Sequence, residues 1–399
     1  MNEIKVKIGK NGTYTNVTKL VKKVTVAGRR GDAPRTLTAI LSDSEQYTRA
    51  TANSGEGQNV FFYSKKKELF RGILMTDNRS NKRTLSIKAY DNCIYLCNNK
   101  GNFSFKNKTA TYIFQYCLKQ LGLPLGAAAN TVYVIGELIK KNTTYWDVIE
   151  DALSQTYYAT GIRYYVSSEK GKIYLRKRRE QTSMPLLSLD TNIKTYEMSR
   201  SIYNTRTRLT LITSKGNSKG STIDSALEKK IGRFSDIESV DEDITQTEIN
   251  QRIKTFKMEK GIIDKDLKVS ATGDTRCVSG KCAYVKISPL GVERIMFIEE
   301  DTHTFENGHH TMDLKLSYDK TSGTSSGGSS SSKSKSGGNK YKVTANSGLN
   351  LRSGPNAGVI ATIPHGETVT WDGKSEGSWY HVQYNGTWGY ASSSWLEKA

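Results

Sequence analysis

The sequence is poor in histidine and cysteine, the residues on which much nucleophilic and metal chemistry rests. Its 399 residues hold five of each. The cysteines, Cys93, Cys97, Cys117, Cys277 and Cys282, are odd in number and follow no framework spacing. That excludes a disulfide scaffold and predicts reduced thiols made in a cytoplasm. No run approaches the roughly 18 apolar residues of a membrane span, and the opening MNEIKVKIGK lacks the apolar core of a secretory signal. Release by lysis, or inside a larger particle, is the expected way out of the cell. A phosphate-cradling glycine loop, an H-E-x-x-H pair and a G-x-S-x-G elbow are missing, as is any recognisable nucleic-acid module.

Acidic residues are also short. Against 59 Lys and Arg stand 39 Asp and Glu, a formal charge of +20. The last sixty residues carry little of this excess: Lys340, Lys342, Arg352, Lys374 and Lys398 face Glu367, Asp372, Glu376 and Glu397. The basic surplus therefore belongs to what precedes them. It favours polyanionic partners such as nucleic acid, teichoic acid or acidic neighbouring subunits, with no sequence-specific nucleic-acid reading implied.

Thr321 to Asn339 reads TSGTSSGGSSSSKSKSGGN, with no aromatic or branched aliphatic residue. Such a tract has no apolar surface to offset the entropy of ordering. It predicts a tether with a reach of roughly 5–6 Å times the square root of its length. The chain is thereby cut into a long basic body and a compact tail rich in Trp, Tyr and Gly.

In the body, Ile4, Val6 and Ile8 alternate with lysines, and Leu37–Leu41, Val60–Tyr63, Leu69–Met75 and Thr84–Tyr90 follow at hairpin spacing. This pattern predicts an antiparallel barrel or sandwich ending near Phe105. The period then lengthens to about 3.6. Thr109 caps a predicted helix through Tyr112, Ile113, Tyr116, Cys117 and Leu121, stopped by Gly122 and Pro124. A second helix starts at Thr144 with Asp147 in the capping-box position and buries Trp146, Ile149, Leu153 and Tyr157. A hairpin turning at Gly171 closes this α/β insert.

Strands are expected again at Ile193–Met198 and Thr205–Thr213, a loop over Ser214–Gly220, and an acidic patch over Ser235–Asp243. A third helix follows with Thr245 and Glu248 as its capping box. Four more strands lie around Leu267–Ala271, Ala283–Ile287, Arg294–Ile298 and Met312–Leu316. The domain reading is thus 1–105 β, 106–178 α/β insert, 179–320 β, 321–339 linker and 340–399 tail.

Candidate chemistry is thin. Cys277 and Cys282 with His303 could form a thiol hydrolase, but no strand-to-helix context activates either thiol. The same cysteines with His309 and His310 lack tight zinc-ligand pairs. No metal or other cofactor is expected. A carboxylate pair drawn from Glu137, Glu150 and Asp151 keeps open the alternative of a peptidoglycan hydrolase, since two carboxylates about 5–9 Å apart suffice.

The tail resembles a bacterial SH3 domain of the cell-wall-associated kind over Lys340–Leu396. The resemblance rests on Gly348-Leu-Asn-Leu-Arg-Ser-Gly-Pro355, Gly377-Ser-Trp-Tyr-His-Val-Gln-Tyr384 and Gly389-Tyr-Ala-Ser-Ser-Ser-Trp-Leu396. It implies a small barrel that binds Gram-positive peptidoglycan, with Tyr341, Asn350, Arg352, Trp371, Trp379, Tyr384, Trp388 and Trp395 as the candidate contacts.

The body resembles the late control D type of baseplate hub protein, from contractile phage tails and phage-tail-like bacteriocins. Phe70-Arg-Gly-Ile73, Ala89-Tyr-Asp-Asn92, the Thr144-x-Trp146 segment, Tyr203-Asn-Thr-Arg206 and Gly308-His-His-Thr-Met-Asp-Leu314 carry this resemblance. It implies a mainly β fold of tube-like barrels with an α/β insert, in a homotrimer that joins tail tube protein to central spike among other baseplate proteins. The role so implied is structural rather than enzymatic.

Overall fold

A computed structural model describes residues 4–43, 55–81, 83–178, 180–181, 183–318, 339–345, 348–352, 359–376, 378–384 and 387–398. The chain divides into two compact units, Met1–Thr324 and Ser325–Ala399. The Gly/Ser tract lies outside the described residues except for Asn339, whose backbone opens the first strand of the second unit.

Alternation places the first core. Leu37, Ala39 and Leu41 on strand Asp32–Ser42 point the same way, as do Val24 and Val26 on Val21–Arg29, Val60 and Phe62 on Asn59–Ser64, and Leu85, Ile87 and Ala89 on Thr84–Asp91. All are buried, and the residues between them, Thr25, Thr38, Ile40, Phe61, Ser86 and Lys88, point to the opposite face. Asn11 and Gly12, both at positive φ, make the two-residue turn from Ile4–Lys10 to Thr13–Asn16.

This sheet does not end with the N-terminal strands. Val21–Arg29 pairs on its free side with the fifteen-residue strand Val292–Glu306, with His303 opposite Val26 and Phe305 opposite Val24. Strand Val292–Glu306 pairs by its first half with Cys282–Ile287 and by its length with His309–Tyr318. His309–Tyr318 in turn pairs with Asp264–Thr272, which pairs with Ile193–Ser201. The two β regions read from the sequence therefore share one thirteen-stranded sheet.

Two α/β inserts leave it. The first carries helices α1 (Ile94–Asn98), α2 (Ala110–Gln120) and α3 (Tyr145–Thr160). Thr109 caps α2 by accepting from the Tyr112 amide, and Thr144 caps α3 by accepting from that of Asp147; Trp146, Ile149, Leu153 and Tyr157 are buried. Strand Lys100–Thr109, which holds Phe105, pairs with Val134–Thr144, and Phe103 and Phe105 pack into the insert's own core with Phe114 and Ile149.

The second insert was not legible as one. Arg208–Ile212 lies between Ser218–Ile223 and Ser235–Ser239, with α4 (Ser225–Ile231) and α5 (Gln246–Glu259) in the same segment. One expectation is corrected here. The loop over Ser214–Gly220 gives way to a strand from Ser218, because Thr222 and Gly220 pair with Leu209 and Leu211 over a core that includes Ile249 and Phe256. The acidic patch begins as a strand, and its Asp236 and Glu238 are neutralised by Lys260 and Arg252. The capping box of Thr245 and Glu248 on α5 is present in both directions.

In the second unit a seven-stranded sheet runs from Asn339–Val343 to Leu396–Lys398. Its core is Val343, Ala345, Leu349, Leu351, Ile363, Val369, Val382 and Ala391.

Candidate functional site

The second unit sorts the aromatic candidates by strand parity. On Trp379–Tyr384, Val382 is buried, so Tyr380 and Tyr384 lean toward the core and Trp379 and His381 toward solvent. Tyr341 and Trp371 belong to the inner set. Trp371 stacks on Tyr380 at 4.7 Å, Tyr341 meets both edge-on, and the Trp371 indole N–H donates to the Lys374 carbonyl at 2.8 Å. Tyr384 packs against the same core. These three pack on the core.

The outer set is brought together by pairing. Arg352 lies opposite Tyr390, and Tyr390 opposite His381. Trp379 lies opposite Ser392, and the Arg352 guanidinium sits 5.8 Å from the Trp379 ring. Asn350, Arg352, Trp379 and Trp395 line one groove of about 500 Å³, together with Thr344, Gly348 and Ser392. Trp395 is 52% exposed there, a large apolar surface left in water. Trp388 is on the same outer face but away from this groove, stacked on His381 at 5.0 Å. His381 and Tyr390 were missed by sequence reasoning, although period two places His381 on the face of Trp379.

In the first unit the carboxylates considered for hydrolysis are not brought together. Glu137 is exposed and lines a polar cleft of about 950 Å³ with Glu248 and Arg252. Glu150 lines a separate small cavity with Arg30, Asp91 and Trp146, and Asp151 is paired with Lys140 at 2.5 Å. Burial pushes the Glu150 carboxyl up to about 7 and that of Asp91 up to about 6. Glu137, Glu150 and Asp151 thus form no carboxylate pair, and the second carboxyl in the Glu150 cavity, Asp91, is already engaged by the Arg35 and Cys93 backbone amides.

The thiol and zinc readings fail on geometry as well. Burial pushes the Cys277 thiol up to about 12, so it stays protonated. His303 Nε2 lies 2.8 Å from the Cys277 carbonyl oxygen, and its Nδ1 lies 2.9 Å from His310 Nε2. The first contact makes His303 Nε2 the donor, so His310 Nε2–H donates to Nδ1, and both rings are neutral. Burial lowers His310 to about 4, in keeping with that arrangement. Among the described residues no group of three or more His, Cys, Asp or Glu is placed to hold a metal ion.

What the body builds instead is a charged seam where the two β regions meet. Arg35, from the N-terminal strands, forms a two-pronged ion pair with Asp301 of Val292–Glu306, at 2.7 and 2.5 Å. The Ser279 amide donates to the same carboxylate at 2.6 Å. Gly28 makes room for it, since a Cβ there would lie 2.3 Å from Arg35 Nη1. Alongside, Glu299 accepts from Arg30 and Ser317 at 2.5 Å and from Arg178. Burial would raise this carboxyl, but Arg178 and Arg30 outweigh it and hold it at about 2.

This seam fixes one long sheet as the frame of the first unit, and the same frame occurs in known proteins. Residues 24–317 match the YQBQ-like protein family. The chain belongs to the YQBQ-like family. Within or near it, the Bacillus subtilis (strain 168) phage-like element PBSX protein XkdQ is 34% identical over 301 residues, 74% of this chain and 92% of that protein. Residues 347–397 match the bacterial SH3 domain.

Among solved structures, the prophage MuSo2 43 kDa tail protein of Shewanella oneidensis aligns with a TM-score of 0.63 at 14% identity, covering 78% of this chain and 98% of that one. The E. coli c3393 protein, a type VI secretion component described as similar to the T4 tail proteins gp27 and gp5, aligns at 0.50 and 10% identity, covering 93% and 90%. The YQBQ-like body thus has the fold of phage tail proteins, followed by a bacterial SH3 domain. No helix among the described residues is long and apolar enough to cross a membrane.

Proposed function

We propose that this chain is a structural baseplate hub of a contractile injection particle, and that three copies close a ring between tail tube and central spike. The observation that carries the reading is the thirteen-stranded sheet shared by both β regions, with Thr13–Asn16 and Ile193–Ser201 as end strands. An end strand exposes unpaired backbone donors and acceptors, and pairing or covering it against a neighbouring copy removes that hazard. The strands up to Asp91 and the β region of 179–320 then act as the tube-like domains, with the first α/β insert between them. Synthesis in a bacterial cytoplasm and release by lysis belong to the same reading.

The SH3 domain is the addressing part. Its groove of Asn350, Arg352, Trp379 and Trp395 offers two indoles and one guanidinium, which suits a short peptide carrying a carboxylate. The proposed ligand is Gram-positive peptidoglycan, reached on the 321–339 tether. The body's basic surplus is assigned to acidic tube or baseplate neighbours, so assembly loosens at high salt.

Light scattering on the purified full chain tests the ring. A mass three times the 44.5 kDa of one chain is expected, alone or after addition of the cognate tube protein. A monomer under both conditions rejects the trimeric hub. Sedimentation with purified Gram-positive wall tests the module: full-length protein should pellet, and a chain lacking residues 340–399 should not.

A further inference from the structure

We infer that the SH3 domain has a second binding surface, apart from the groove, that takes an uncharged saccharide on the ring face of Trp388. The inference rests on the wall-binding reading and names a second ligand class for it. Trp388 is 39% exposed and lies nearly parallel to the His381 imidazole, with 14° between the planes. One indole face is thereby covered and the ring is held flat, while the rest meets solvent.

The imidazole is itself fixed. His381 Nδ1 lies 2.8 Å from the Asp372 carboxylate and donates to it, which fixes the ring. Tyr390 packs on the same imidazole at 5.0 Å, and its hydroxyl donates to Glu376 at 3.3 Å, leaving the phenol oxygen able to accept. A flat aromatic face held in place by a fixed imidazole matches a pyranose ring. The sugar's polarised C–H face rests on the electron-rich indole.

Charge argues against a polyphosphate at this place. Beside the imidazole, Asp372 accepts from the Lys374 backbone amide and pairs with its ammonium, so these charges offset and leave no net positive field there. A repeating, uncharged aminosugar such as the glycan of a cell wall is the class that fits. The groove beside Trp395 remains the place for peptide.

The test is titration of the full-length chain with a soluble N-acetylglucosamine tetramer, read by calorimetry and tryptophan fluorescence. Sedimentation with whole wall is run in parallel. Wild type should bind the tetramer. Trp388→Ala should weaken binding by about tenfold, the worth of roughly 1.4 kcal/mol of aromatic contact. Asp372→Asn, which keeps the shape and frees the imidazole, should weaken it about threefold; Tyr203→Ala, on the body, should not change it.

Absence of tetramer binding by wild type overturns the inference, as does an equal loss in Trp395→Ala, which would place the sugar in the groove. Wall sedimentation separates the two readings. Wall bound without tetramer leaves wall binding standing and removes the saccharide face, whereas failure of both removes both.

Discussion

The body and the SH3 domain solve the problem of holding strands together with opposite materials. At the meeting of its two β regions the body buries charge: Arg35 on Asp301, and Arg30 and Arg178 on Glu299. The SH3 domain has a core of eight small to medium aliphatic residues, closed by Tyr341, Trp371, Tyr380 and Tyr384, and it keeps Trp379, Trp388 and Trp395 on its outer side. Buried charge is costly to desolvate but specific in partner, so it suits a seam that must register distant segments in one way. Aromatic packing is cheaper for a small barrel, and it leaves amphipathic rings to spare for binding.

The sharpest way to break this contrast is to remove one partner at the seam. Asp301→Ala strands the Arg35 guanidinium among buried groups and should cost about 3–5 kcal/mol in urea unfolding of the body. A change near zero would mean that the ion pair does not tie the two regions. The corresponding stroke in the SH3 domain is Trp371→Ala, which empties part of the aromatic layer and should cost that domain about 2–4 kcal/mol. It should abolish wall binding only through unfolding.

The acids of the body separate by pH. Glu299, held at about 2 against an ordinary 4.5, binds fewer protons folded than unfolded between those values. Its contribution is therefore present above 4.5 and lost as pH falls toward 2. Glu150, raised to about 7, behaves in the opposite sense: the folded state binds more protons, and stability declines as pH rises from 4.5 to 7. Unfolding followed from pH 3 to 8 should show Glu299→Gln flattening the acid limb and Glu150→Gln flattening the other, each by about 1–3 kcal/mol. Identical profiles in both variants would contradict the assignment.

Two smaller effects complete the series. Thr245→Ala removes one half of the α5 capping box and should cost about 1 kcal/mol, seen as a lower urea midpoint. Trp395→Ala should leave stability within about 0.5 kcal/mol, as for an exposed surface site, yet reduce wall sedimentation severalfold. Unchanged sedimentation would take the groove out of the wall-binding reading.

Local signals carried far along this chain. Thr109, Thr144 and Thr245 each announced a helix start, because a cap and the apolar period behind it lie within one or two turns of each other. Strand alternation likewise identified Leu37–Leu41, Leu267–Ala271 and Met312–Leu316. The second insert escaped notice because its small sheet is short and polar on one face, with Ser218–Ile223 holding a single apolar residue, Ile223. Of the candidate site residues, Arg352, Trp379 and Trp395 do meet, whereas Tyr341, Trp371 and Tyr384 turn inward. Composition alone cannot separate these sets, since both are made of the same residue types.

The sequence by itself determined that a long body is followed by an SH3 domain, the helix starts and the inward face of most strands. Each of these depends on residues close together in the chain. Only the tertiary structure decided that Val21–Arg29 would pair with a strand some 270 residues later, that Arg35 would find Asp301, and that Glu137 and Glu150 would stand in different cavities. Those outcomes rest on contacts between distant segments. Their geometry is set by how whole sheets align, and no local pattern encodes it.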